Sequence, residues 1–199
     1  DNGSTSVEVA LKMAFQYWYN KKEQRKKVIA IEGSYHGDTF GAMAVAERNA
    51  FSKPFNSFLF NVDFIPFPDG ENDKEVIEQF TKLVKTNEVS SFIFEPLLQG
   101  TAGMRTYSPQ TLSKLIEVAH QYGVICIADE VMTGFGRTGM NFASLYLTET
   151  PDIFCLSKGI TGGFMAMGMT TCSSEIHQAY VDEDKMKTFF HGHSYTGNA

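Results

Sequence analysis

"SPQTLSKLIEVAHQYGVICIADE", residues 108–130, decides the fold. Ser108 before Pro109 opens a helix: the serine oxygen caps free amides, and a first-turn proline has no amide to satisfy. Leu112, Leu115, Ile116 and Ala119 then recur at helical spacing, and Gly123 supplies the stop. The next run, residues 124–130, is apolar without alternation and ends on two acids, Asp129 and Glu130. Such a strand is covered on both faces, as strands of a parallel sheet between two helical layers are.

The same alternation extends in both directions. Residues 4–20 form a mostly buried helix through Val7, Val9, Ala10, Leu11, Met13, Ala14 and Trp18. "KKVIAIEG" (26–33) is a strand, and "DFIPF" (63–67) is another, weakened by Pro66. Residues 72–86 are an amphipathic helix with Val76, Ile77, Phe80, Leu83 and Val84 on one face. "SSFIFEP" (90–96), "DIFCLS" and a run around "MGMTTC" complete the strands. The expected class is α/β, three layers around a mainly parallel sheet.

Composition narrows the function classes. The net charge of −6 gives no support for binding nucleic acid or an anionic membrane. No apolar run approaches the ~20 residues of a membrane span. The three cysteines, Cys126, Cys155 and Cys172, show no metal-ligand spacing and are expected to be reduced thiols. No signal-peptide pattern opens the chain, so a cytoplasmic location is expected and no metal is called for. The chain opens without a methionine and in turn chemistry, and is expected to be a piece of a longer protein.

In an open parallel sheet, ligands bind beyond the carboxyl ends of the strands. There the sequence places "GSYHGD", "EPLLQG", "ADEVMTGFGRTG" and "SKGITGG". Lys158 follows one strand and Asp129 ends another, which leaves two readings. One is a structural lysine–aspartate ion pair on the rim. The other is a cofactor site, in which a lysine amine condenses with an aldehyde while a carboxylate holds the proton on a ring nitrogen. Pyridoxal phosphate is the common case, and it also needs a phosphate cup. "NGST" (2–5) directly precedes a helix, with Gly3 for close backbone approach and Ser4 for a hydroxyl, although any helix cap looks similar. Tyr35 stacks on an aromatic ring or simply packs. His36 orients its loop. Asp38 binds a substrate amine or makes a turn, Glu95 holds a hydroxyl or water or is structural, and Arg137 grips a carboxylate or is an exposed loop arginine.

The segments "DNGSTSVEVALKMA", "SYHGDTFGAM", "FEPLLQGTAGM", "IADEVMTGFGRTG", "PDIFCLSKGITGG" and "HGHSYTGN" together resemble the class III aminotransferases, pyridoxal-phosphate enzymes of fold type I. The resemblance runs from the first residue to the last. It implies that Lys158 is the imine-forming lysine, Asp129 the partner of the pyridine nitrogen, Tyr35 the aromatic beside the ring, and Gly3 and Ser4 the phosphate cup. Ser194, where many relatives carry threonine, then reaches the phosphate of a neighbouring subunit's cofactor. Tyr35, Asp38 and Arg137 line the substrate pocket, and Gly159, Gly162 and Gly163 give the lysine loop room beside the cofactor.

By the same resemblance, residues 1–199 are the cofactor-binding large domain of a homodimer whose active site lies at the subunit interface. An N-terminal segment and a C-terminal small domain are then expected elsewhere, and little turnover from this piece alone. "YHGDTFGAM" and "HGHSYTGN" are most similar to the branch serving biotin synthesis, which moves an amino group from S-adenosylmethionine to 8-amino-7-oxononanoate and gives 7,8-diaminononanoate. Two alternatives stay open. One is another class III aminotransferase using an omega-amino acid, a diamine or lysine. The other is a non-catalytic α/β binding module.

Overall fold

A computed structural model describes residues 2–194 and residue 196 of the chain. Its strands are β1 (Lys27–Ile31), β2 (Asp63–Ile65), β3 (Val89–Phe94), β4 (Leu98–Gln99), β5 (Arg105–Thr106), β6 (Ile125–Asp129), β7 (Ile153–Leu156) and β8 (Met169–Cys172). Its α-helices are α1 (Gly3–Asn20), α2 (Phe40–Val45), α3 (Asp73–Val84), α4 (Pro109–Gln121) and α5 (Ser174–Gln178). Six strands form one sheet in the order β2-β1-β3-β6-β7-β8, while β4 and β5 pair with each other. All pairings in the main sheet are parallel except β7 with β8. The expected mainly parallel three-layer architecture is the one observed.

Side-chain parity assigns the two faces. Phe92 and Phe94 of β3, with Cys126 and Ala128 of β6, point to one side and pack with Phe80 of α3 and with Leu112, Leu115 and Ile116 of α4. Ile93, Ile125, Ile127, Ile153 and Cys155 point to the other, against Val7, Ala10, Leu11 and Ala14 of α1, Ala42 and Val45 of α2 and Ile176 of α5. Burial of each large side chain contributes about 1.5–3 kcal/mol. Truncating Phe92, wholly buried between Phe80 and Phe94, costs about 3–5 kcal/mol.

Element boundaries follow local chemistry. The Ser108 side chain accepts from the amides of Gln110 and Thr111 and starts α4. Asn2 caps α1 by accepting from the Thr5 amide at 3.0 Å. Strand β2 stops at Ile65 rather than running to residue 67, because Pro66 has no N–H to continue the ladder. It lies at the sheet edge, where proline is tolerated. Among the described residues, no helix is long and apolar enough to cross a membrane. Cys126, Cys155 and Cys172 are free thiols, the first two buried and the third half-buried.

Candidate active site

Strands β1, β3, β6 and β7 are adjacent and parallel, so their carboxyl ends share one rim. A cavity of about 420 Å³ opens there, lined among others by Gly3, Ser4, Tyr35, Glu95, Asp129 and Lys158. Parity explains the two acids. Asp129 lies two residues past Ile127 and Glu95 two past Ile93, so both carboxylates project toward the α1 side. Phe94 pairs with Ala128, which brings Glu95 and Asp129 out side by side. Ser4, in the first turn of α1, reaches the same place: its hydroxyl oxygen accepts the Asp38 amide at 3.1 Å. Gly37 makes that approach possible. It sits at φ +128°, and a Cβ there would lie 2.2 Å from the Ser4 oxygen.

The rim carboxylate Asp129 is buried, and among the described residues its side-chain partner is His36, not Lys158. His36 Nδ1 lies 2.7 Å from Asp129 Oδ2, while Oδ1 accepts the Val131 amide at 3.0 Å. Nε2 of His36 is buried and, among the described residues, has no hydrogen-bond partner. Glu95 accepts from the amides of Tyr35 and Gly100, both at 3.1 Å, and so ties the segments that follow β1 and β3 together. Burial raises its pKa, and the neighbouring His36 opposes that shift. The Tyr35 hydroxyl donates to Asp38 at 2.9 Å, and desolvation first, then that bond, push its pKa up to about 12.

Lys158 is exposed on the cavity wall and occupies the left-handed region at φ +43°. A lysine is held in this sparsely populated conformation at a cost of ~1–3 kcal/mol, the kind of strain that collects at functional positions. Strand β7 ends at Leu156, so Lys158 lies just past the sheet, on the rim where the sequence placed it. A Cβ on Gly159 would meet Phe135 at 2.8 Å, so the absence of a side chain there lets Phe135 pack close. Gly162 and Gly163 take turn conformations at φ +61° and +87° with nothing within 4 Å of a Cβ.

The loop after β6 is held by Glu130, which sequence reasoning gave no role. Its wholly buried carboxylate accepts from Thr133 Oγ1 at 2.6 Å, Ala143 N at 3.1 Å, Ser144 N at 2.7 Å and Ser144 Oγ at 2.6 Å. Four donors replace a counterion. This loop carries Arg137 on an exposed turn that does not line the cavity. Ser194 is also exposed and away from the cavity. In the motif "HGHSYTGN", Tyr195, Gly197 and Asn198 lie outside the described residues. Thr101, Met104, Met132, Thr133 and Ser157 line the cavity without having been singled out. Ser157 and Thr133 follow strand ends, where the rim rule could have found them; Met104 gives no such signal.

These residues fit the expected cofactor. A buried carboxylate beside an unsatisfied imidazole nitrogen suits a protonated ring nitrogen. The Gly3 and Ser4 amides at the start of α1, which lack helical acceptors, and the Ser4 hydroxyl suit a phosphate. Lys158 is the amine of the cavity wall, and Tyr35 is its aromatic. The arrangement can bind an aldehyde covalently, hold a positive ring charge and carry a proton.

Comparisons with known proteins agree with this chemistry. Residues 1–199 match the profile of the family described as aminotransferase class-III. The chain is 46% identical over its whole length to adenosylmethionine-8-amino-7-oxononanoate aminotransferase of Synechococcus elongatus, covering 49% of that protein. It is 40% identical to the enzyme of the same name from Staphylococcus aureus, covering all of this chain and 47% of that one. Among solved structures, the Methanocaldococcus jannaschii adenosylmethionine-8-amino-7-oxononanoate aminotransferase superposes with a TM-score of 0.90 at 35% identity, over 98% of this chain and 46% of that one. A PLP-bound amine transaminase from an uncultivated Pseudomonas species gives 0.91 at 29% identity, over 98% of this chain and 47% of that one. The chain spans about half the length of the curated relatives it matches.

Proposed function

The chain belongs to the class III aminotransferases, and from that premise we propose that residues 1–199 are the large, pyridoxal-phosphate-binding domain of a transaminase of biotin synthesis. The reaction is transfer of an amino group from S-adenosylmethionine to 8-amino-7-oxononanoate, giving 7,8-diaminononanoate. One observation carries the reading: Lys158, the His36-held Asp129, Tyr35 and the start of α1 meet in a single cavity. The names of the relatives matched over the whole chain support the substrates.

Bound pyridoxal phosphate supplies an aldehyde that takes up an amine and a protonated ring that accepts electrons. The chain's own residues do the rest. Lys158 would hold the aldehyde and would carry a proton from and to the substrate as a neutral base. Asp129 keeps the ring nitrogen protonated, and His36 fixes the orientation of that carboxylate. Gly3 and Ser4 offer amides and a hydroxyl to the phosphate. Tyr35 would lie beside the ring, and Asp38, which accepts the Tyr35 hydroxyl and lines the adjoining cavity, is the candidate for a substrate amine. Arg137 is the candidate for a substrate carboxylate, and Ser194 for the phosphate in a second subunit.

A cytoplasmic homodimer completes the proposal. The free thiols support a reducing compartment. Phe164, 90% exposed, and Phe190, 66% exposed, are apolar groups that a second subunit would cover. Single-turnover spectroscopy of the full-length enzyme tests the donor. Conversion of the bound cofactor by S-adenosylmethionine is expected; conversion by lysine alone contradicts it.

A further inference from the structure

A second cavity, of about 510 Å³, adjoins the first: Tyr35, Gly37 and Thr101 line both. Its other walls include Asp38, Met43, Glu47, Phe51 and Phe55. The volume suits a drug-sized ligand. Its charge is one-sided, since two carboxylates line it and no lysine, arginine or histidine does. The arginine next in sequence is committed elsewhere: Arg48 donates to the carbonyls of Met43, Ala44, Ala46 and Phe60. Asp38 already accepts the Tyr35 hydroxyl. The Glu47 amide donates to the Ser34 carbonyl at 3.0 Å, which fixes its backbone. Among the described residues its carboxylate forms no ion pair.

We infer that this side cavity receives the positively charged body of the amino donor, a sulfonium nucleoside, and that Glu47 is the residue that selects for its charge. The inference rests on the transaminase reading and deepens it. A sulfonium carries its charge on a poorly hydrated apolar centre, so a wall that combines the Glu47 carboxylate with the aromatic side chains of Phe51 and Phe55 suits it by charge and by cation–π attraction. A neutral donor of the same shape gains neither. Tyr35, the shared wall, lets an amine extend toward Lys158 while the cation stays outside.

The test uses the full-length holoenzyme at low ionic strength and two nucleosides without a transferable aliphatic amine. 5′-Deoxy-5′-(dimethylsulfonio)adenosine is cationic, and 5′-methylthioadenosine is its neutral counterpart. Calorimetry is expected to show the wild type preferring the cation by about tenfold, a difference of roughly 1.4 kcal/mol. Glu47→Gln should reduce the preference to about twofold or less, and Glu47→Asp should retain most of it. An unchanged preference in Glu47→Gln, or none in the wild type, overturns the inference. Single-turnover conversion by S-adenosylmethionine separates the two levels. Its absence in the wild type overturns the assignment of S-adenosylmethionine as donor, whereas conversion with an unaltered preference in Glu47→Gln overturns the subsite alone.

Discussion

His36 Nδ1 lies 2.7 Å from Oδ2 of Asp129, a contact between residues 93 positions apart. The pair makes His36 a positioning residue for the cofactor's carboxylate. Its replacement by alanine removes a hydrogen bond to a charged group, worth about 1.5–3 kcal/mol. Cofactor retention is expected to weaken by about ten- to a hundredfold, with Lys158 still able to attach it. Equilibrium dialysis and the pH profile of cofactor absorbance read this out. Unchanged affinity together with an unchanged profile contradicts it.

Glu130 anchors the loop after β6, and its loss strands several buried donors. Glu130→Ala is expected to destabilise the folded protein by about 3–5 kcal/mol, since each unsatisfied group costs ~1–3 kcal/mol. Glu130→Gln is expected to cost about 2 kcal/mol, because an amide accepts on one side only and turns donors toward donors. Urea unfolding of the full-length protein compares them; equal stability of all three proteins contradicts the anchoring role.

Arg137 stands on an exposed turn away from the described cavity. If it grips the acceptor's carboxylate in the complete enzyme, Arg137→Ala raises the acceptor KM about tenfold or more and leaves kcat nearly unaltered. Arg137→Lys restores only part, because lysine lacks the planar fork. Steady-state kinetics on full-length enzyme decides; an unaltered KM assigns Arg137 to the surface.

His120, at the end of α4, lies between Asp152 and Glu149. The hydrogen bond its ring N–H donates to Asp152 is the main cause that raises its pKa above 6.5. The folded state therefore holds an extra proton between pH 6.5 and the raised value. That stabilisation is complete below pH 6.5 and is lost as pH rises through the folded pKa. Half-exposure keeps the effect small. Denaturation midpoints of wild type should fall across this window, and those of His120→Gln should stay flatter. Parallel pH profiles for the two proteins contradict the assignment.

Strand alternation and the rim rule made the sheet, the helices and the shared position of Asp129 and Lys158 legible in the sequence. Apolar runs and caps are local signals, and parallel topology follows from them. The partner of Asp129 was not legible, because "SYHGD" and "IADE" meet only once β1, β3 and β6 are side by side. Glu130 was hidden for a related reason: two adjacent acids look alike in a sequence, yet one takes an imidazole and the other four uncharged donors. The close approach of Phe135 to Gly159 was likewise not legible, because the two residues are 24 positions apart.

The central claim is that Lys158 carries the cofactor. Borohydride reduction of the full-length protein with pyridoxal phosphate, followed by peptide mass mapping, tests it most directly. The account predicts a single pyridoxyl adduct on the peptide containing Lys158, and none on Lys158→Ala protein. An adduct on another lysine, or cofactor uptake unaffected by Lys158→Ala, would contradict it.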